Sequence, residues 1–141
     1  MSGKSFIDTN LLIYLYTDKE PGKTAVATRT IAEHDCVISV QVMNEFSSVM
    51  MKKYGKRLQQ VLAAMQEILE NVIAVPIGAE TTLEALRVCE QYGYSYYDSC
   101  IIAAALINGC DILFTEEAKL YKARHDRENP KFRKFRNHLT V

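Results

Sequence analysis

Ser5-Phe6-Ile7-Asp8 decides the fold: it is a short apolar run without polar alternation, and it stops on a carboxylate. Strands of this kind are buried on both faces, as in a parallel sheet covered by helices. Three further runs match it, Cys36-Val37-Ile38-Ser39, Val72-Ile73-Ala74-Val75 and Asp111-Ile112-Leu113-Phe114-Thr115, the last being the final clear strand. Helical stretches lie between them: 10–16, broken near Pro21-Gly22, then 23–33, 40–54, 58–69, 79–92 and 95–108. Alternating strands and helices imply an α/β domain with a central parallel sheet. Right-handed crossovers then bring every strand C-terminus to one edge, where open parallel sheets bind ligands.

Local signals support this division. Ser39 and Ser95 are placed to accept free first-turn N–H groups of the helices that follow them. Gly55 and Asn108-Gly109 are helix stops. Helical spacing gives expected apolar faces: Val42, Phe46, Val49 and Met50; then Leu58, Val61, Leu62, Met65, Ile68 and Leu69; then Leu83, Leu86, Val88 and Cys89; then Ile101, Ile102, Ala105 and Leu106.

Four acids abut the apolar runs: Asp8, Glu45 in Asn44-Glu45-Phe46, Asp98 in Tyr96-Tyr97-Asp98-Ser99, and Glu117 after Leu113-Phe114-Thr115. Asp8 and Glu117 fall at strand C-termini, and Glu45 and Asp98 fall near helix starts. Singly, each has an ordinary explanation. Asp8 is a good helix cap, Asp98 is a first-turn acid favoured by the helix dipole, and Glu45 and Glu117 are acids suited to solvent. Together at one sheet edge they would repel one another unless a divalent cation neutralised them. The set therefore reads as the site of a metal-dependent hydrolase. Hard oxygen donors favour Mg²⁺ or Mn²⁺ over zinc.

The 141 residues are enough for one domain with a substantial core, and the 48% hydrophobic, 24% charged composition is globular. No apolar run approaches the roughly 20 residues of a membrane span. The N-terminus lacks a signal-peptide pattern, so a cytoplasmic location is expected. Cys36, Cys89, Cys100 and Cys110 form no C-x-x-C pair and are expected to be structural thiols. His34, His125 and His138 show no paired spacing and are expected at the surface. The net charge is zero, but residues 119–141 hold eight Lys/Arg against two acids, and the preceding 118 residues hold nine against fifteen. This basic end suits either an anionic polymer or a solvated tail.

The ordered set of motifs resembles the PIN-domain family. It comprises Phe6-Ile7-Asp8-Thr9-Asn10, Asn44-Glu45-Phe46, Tyr97-Asp98-Ser99 before Ile101-Ile102-Ala103-Ala104-Ala105, and Asp111-Ile112-Leu113-Phe114-Thr115-Glu116. In length and motif order the chain is most like the bacterial VapC-type toxins. The resemblance spans about residues 5–117 and implies a three-layer α/β/α sandwich with Mg²⁺- or Mn²⁺-dependent endoribonuclease activity. It makes Asp8, Asp98 and Glu45 the metal ligands. Glu117 takes the place of the fourth acid, which is usually Asp, and Thr9, Asn10 and Thr115 supply supporting hydrogen bonds. Residues 1–118 would form the PIN-like catalytic domain, and 119–141 a basic segment that departs from the family's ending.

Asp8 and Asp98 are then expected to hold one ion, with Glu45 and Glu117 orienting water or helping to hold a second. Lys52, Lys53, Lys56, Arg57 and the basic end are candidates for phosphate contacts. Tyr92, Tyr94, Tyr96 and Tyr97 could either stack bases or pack in the core or at a subunit interface. The implied partners are an RNA substrate, a cognate antitoxin that blocks the site with a basic side chain, and a second copy in a homodimer. An alternative follows from Glu117 and the altered ending: a weak or inactive PIN-like module that mainly binds an antitoxin-type partner or RNA. A phosphotransfer or phosphatase domain is disfavoured, because Thr9-Asn10 rather than a second Asp follows Asp8 and no G-x-x-x-x-G-K loop occurs.

Overall fold

The computed structural model describes residues 3–115, and the backbone alone of 119–123 and 132–136. Four strands, β1 (Lys4–Ile7), β2 (Asp35–Ser39), β3 (Ile73–Val75) and β4 (Cys110–Phe114), are joined by helices. Helices α1 (Thr9–Leu15) and α2 (Pro21–Glu33) lead from β1 to β2, and α3 (Val40–Lys52) and α4 (Leu58–Asn71) lead on to β3. The long return to β4 carries α5 (Ala79–Tyr92) and α6 (Tyr96–Ile107). The sheet order begins β3-β2-β1-β4, all parallel. The chain steps outward from β1 to β3 and then jumps back across the sheet to β4. Right-handed crossovers consequently put α1–α4 on one face and α5 and α6 on the other. The helix contacts agree: α1 packs on α2 and α3, α3 on α4, and α5 on α6. The result is a three-layer α/β/α sandwich.

Two strands follow β4. β5 (Lys119–Ala123) pairs antiparallel with β4, and β6 (Phe132–Arg136) antiparallel with β5. In the sequence Asp111–Thr115 is the last clear strand, and neither β5 nor β6 is expected from it. Charged residues are the usual protection of outer strands, so a basic composition does not argue against pairing there.

The helix limits follow their chemistry. Pro21 opens α2 at a position where its missing N–H costs nothing. Ser39 Oγ accepts the Val42 N–H at 3.3 Å, and Ser95 Oγ accepts the Asp98 N–H at 3.2 Å, as expected. Gly93 ends α5 at φ 67°, a left-handed conformation that favours glycine.

Phe6, Ile7, Leu11, Leu12, Val37, Ile38, Val42 and Phe46 are fully or almost fully buried and form the middle of the core. Two expected apolar faces need correction. On α4 the buried stripe is Val61, Ala64, Met65 and Ile68, while Leu58, Leu62 and Leu69 are exposed. On α5 it is Thr81, Ala85 and Val88, and Leu83 and Leu86 face outward. Small residues explain the second case. Ala85 on α5 and Ala103 on α6 are both fully buried, and side chains this small let the two contacting helices approach closely. His34 is also not a simple surface residue. Its ring packs edge-on to Phe114 at 5.1 Å, and Nδ1 lies 3.0 Å from the Thr30 carbonyl. His125 and His138 lie outside the described residues.

All four cysteines are free. Burial pushes the Cys36 thiol up to about 12 and the Cys110 thiol to about 11. Both stay protonated in the fold well above the unfolded value of about 8.5. Their contribution to stability is therefore complete below that value and is lost as pH rises toward 11–12. At pH 8, a thiol reagent should modify no more than the half-buried Cys89 and Cys100 in the native protein, and all four after denaturation. Rapid native-state reaction of all four would contradict this burial. Among the described residues, no helix is long and apolar enough to cross a membrane.

Candidate active site

Strand β1 ends at Ile7, and the next residue is fastened to the sheet from the other side: the Asp8 N–H donates to the Phe114 carbonyl of β4 at 3.0 Å. Asp8 then caps α1, its Oδ1 accepting the Thr9 N–H at 2.6 Å. One residue therefore closes the β1–β4 edge and starts a helix. This edge is where the strand order reverses, the usual ligand position of open α/β sheets.

A cleft of about 540 Å³ opens there, lined by Asp8, Thr9 and Asn10 from the start of α1, Glu45, Ser48 and Val49 from α3, Tyr97, Asp98 and Ile101 from α6, and Thr115 after β4. Three of the four acids singled out in the sequence, Asp8, Glu45 and Asp98, share this cleft. Glu117 lies outside the described residues. Each acid is held by its helix. Phe46 is fully buried, which turns the neighbouring position, Glu45, toward the cleft. Asp98 sits in the first turn of α6, where the positive end of the helix dipole favours a carboxylate.

Glu45 is fixed by two neutral donors. Thr9 Oγ1 donates to Oε2 at 2.7 Å, and Gln41 Nε2 donates to Oε1 at 3.1 Å. Thr9 was anticipated as a supporting group. Gln41 was not, although a position one helical turn before Glu45 on the same face is a readable signal. Ser48, one turn after Glu45, was also missed. Replacing Thr9, only 5% exposed, with the isosteric Val should cost about 1–2 kcal/mol by removing a hydrogen bond to a charged group. Urea unfolding measures this, and an unchanged midpoint would mean that the hydroxyl contributes nothing.

The tyrosines divide. Tyr92 and Tyr94 stack on each other at 5.8 Å and pack against the core. Tyr97 is 70% exposed and lines the cleft, and Tyr96 packs edge-on beside it. Only Tyr97 among the four is placed to meet a ligand in the cleft.

The lining offers carboxylate, hydroxyl and amide oxygens, and neither His nor Cys is among it. This donor set suits Mg²⁺ or Mn²⁺ rather than zinc. Among the described residues no three His, Cys, Asp or Glu side chains converge into a closed metal cage. Mg²⁺ does not need one, since it is commonly held by one or two carboxylates, with waters and substrate phosphates completing its shell. The residues present fit such an ion.

The family model for the PIN domain matches residues 5–126. The chain belongs to the PIN-domain family. Solved structures that resemble this PIN domain include the Mycobacterium tuberculosis toxin VapC20, described as cleaving the sarcin-ricin loop. It is 19% identical over 79% of this chain and 88% of that one, with a TM-score of 0.63. A toxin–antitoxin complex from Klebsiella pneumoniae is similar at 22% identity, 79% and 84% coverage and a TM-score of 0.59. VapBC2 from Rickettsia felis, bound to a DNA fragment from its promoter, is similar at 17% identity, 79% and 86% coverage and a TM-score of 0.59. No curated protein matches the sequence. At these identities the structures establish a shared fold, and the family match extends past β5 to residue 126 of the PIN domain.

Proposed function

We propose that this PIN domain is a Mg²⁺- or Mn²⁺-dependent endoribonuclease and the toxin of a toxin–antitoxin pair. The observation that carries the proposal is the meeting of Asp8 from the start of α1, Glu45 from the middle of α3 and Asp98 from the first turn of α6 in one oxygen-lined cleft. Asp8 and Asp98 are the proposed metal ligands, with Glu45 completing the acidic set. Glu117, the fourth acid in the proposal, follows Thr115 at the cleft wall by two residues.

A divalent ion bound here would neutralise the carboxylates and supply an acidified water to attack a phosphodiester. The protein's own residues do the rest. Thr9 and Gln41 hold the Glu45 carboxylate with both oxygens engaged, so its orientation is set before substrate arrives. Asp8 is anchored through its backbone to β4, which makes the position of its carboxylate a property of the sheet rather than of a loop. Tyr97 presents an open ring at the cleft for a base of single-stranded RNA.

The expected result is RNA cleavage that stops in EDTA and returns when excess Mg²⁺ or Mn²⁺ is added. Full activity in EDTA would overturn the metal assignment. The similarity to toxin–antitoxin structures supports a cognate antitoxin as partner, whose basic side chain would compete for the carboxylates. The exposed Leu58, Leu62, Leu83 and Leu86 give apolar area for a homodimer, the proposed assembly.

A further inference from the structure

A second, oppositely charged pocket lies along the same pair of helices. Lys19, Lys53 and Lys56 line a depression of about 540 Å³ together with Tyr54 and the end of α1, with Asp18 as its single carboxylate. Two of the ammonium groups share one aromatic ring: Lys19 Nζ is 5.2 Å and Lys53 Nζ 5.6 Å from the Tyr54 centroid. Among the described residues the ion pairs are Lys23–Glu20 and Arg87–Glu84, so none of these three lysines is neutralised by a salt bridge. Cations at helix C-termini are ordinarily explained by the helix dipole. Here part of that role is already taken by backbone N–H groups: among the last four α3 carbonyls, Val49 accepts from the Lys53 and Tyr54 N–H groups, and Met50 from the Lys56 N–H.

The position of the pocket relative to the acidic cleft gives it a purpose. α1 begins in the cleft at Thr9 and Asn10 and reaches the basic pocket at Leu15. α3 contributes Glu45, Ser48 and Val49 to the cleft, and Lys53 follows its last residue. At about 1.5 Å of rise per residue, Glu45 and Lys53 are separated by roughly 12 Å along the helix axis. A few nucleotides of single strand cover that distance.

We propose that the Lys19–Lys53–Lys56 pocket binds a backbone phosphate of single-stranded RNA, a few nucleotides away from the phosphate held in the acidic cleft. The proposal rests on the ribonuclease reading and adds the register of the strand: it runs along the α1–α3 pair. An acidic cleft repels the rest of the polyanion, and the pocket supplies the attraction the cleft lacks. Lysine ammoniums bind phosphate as point charges, so the contact is independent of sequence.

The test is anisotropy of a fluorescein-labelled 12-nucleotide oligouridylate in EDTA, across a salt series. It compares the unaltered chain, the triple variant Lys19→Ala/Lys53→Ala/Lys56→Ala, and the triple Lys→Arg variant, each checked for an unchanged melting curve. The alanine variant should bind about tenfold more weakly at low salt, and its log–log salt slope should fall by about 0.7, the value for one lost single-strand phosphate contact. The arginine variant should restore both. Equal affinities and slopes for the unaltered chain and the alanine variant would overturn the pocket. So would an alanine variant that loses an acidic peptide such as oligoglutamate while keeping RNA. Cleavage by the unaltered chain in Mn²⁺ is measured separately: its absence would count against the ribonuclease reading and leave the binding comparison intact.

Discussion

Asp98→Asn should lower RNA cleavage by roughly a thousandfold, the loss expected when several kcal/mol of metal-centred stabilisation disappears. Asp8→Asn should do the same. The amide keeps the size of the carboxylate but removes a negative charge, so neither change should unfold the protein. Relief of repulsion between carboxylates sharing a cleft should offset the helix-dipole contact that Asp98→Asn gives up, leaving the melting temperature within a few degrees of the unaltered chain. The pairing of lost activity with retained stability separates a ligand from a structural cap. Asp8 is the sharper case, because its side chain also caps α1. Asn is as good a cap as Asp, so helix formation is preserved while the charge is removed. Full divalent-dependent cleavage by Asp98→Asn would remove that residue from the proposed machinery.

Phe46→Ala is expected to be the most damaging single change to the fold. Phe46 has no exposed surface, lies mid-way along α3 and packs edge-on against Tyr16 at 5.7 Å. Truncating a buried phenylalanine costs about 3–5 kcal/mol through lost transfer energy and the cavity left behind. For a domain of this size that lowers the melting temperature by roughly 10–15 °C. Phe46→Leu, which refills most of the space, should recover more than half of the loss. Calorimetry decides it, and a drop of under 3 °C for Phe46→Ala, about 1 kcal/mol, would mean that the core does not depend on this ring. The same change should loosen Glu45, whose placement depends on its neighbour being buried. Cleavage by Phe46→Ala should therefore fall even at temperatures where the protein remains folded.

The parallel sheet and the acidic cleft were legible in the sequence because their signals are local and redundant. Apolar strands without alternation, serine caps at Ser39 and Ser95, and acids at the ends of such runs each point the same way, and the sheet topology gathers them at one edge. What escaped depends on partners rather than on the residues themselves. Leu83 and Leu86 have the right spacing for a buried stripe, yet α5 turns Ala85 and Val88 inward, because close packing of helices selects small side chains. On α4 the apolar arc is wider than the buried seam, so helical periodicity alone cannot tell Leu62 from Val61. Strands β5 and β6 were hidden by their lysines and arginines, which outer strands tolerate and which a charge count reads as tail. Gln41 acts through Glu45, and nothing in its own type suggests a role.

The central position of β1 has a consequence for how the molecule comes into being. Phe6 lies opposite Leu113, so the innermost pairing joins two segments made more than a hundred residues apart. Ribosomes add roughly 5–20 residues per second. Throughout that interval one flank of β1 has no neighbour, and Asp8 has no Phe114 carbonyl to hold it. Until β4 emerges and pairs beside β1, the Asp8 backbone is not fastened to the sheet, and the wall that Thr115 gives the cleft is missing.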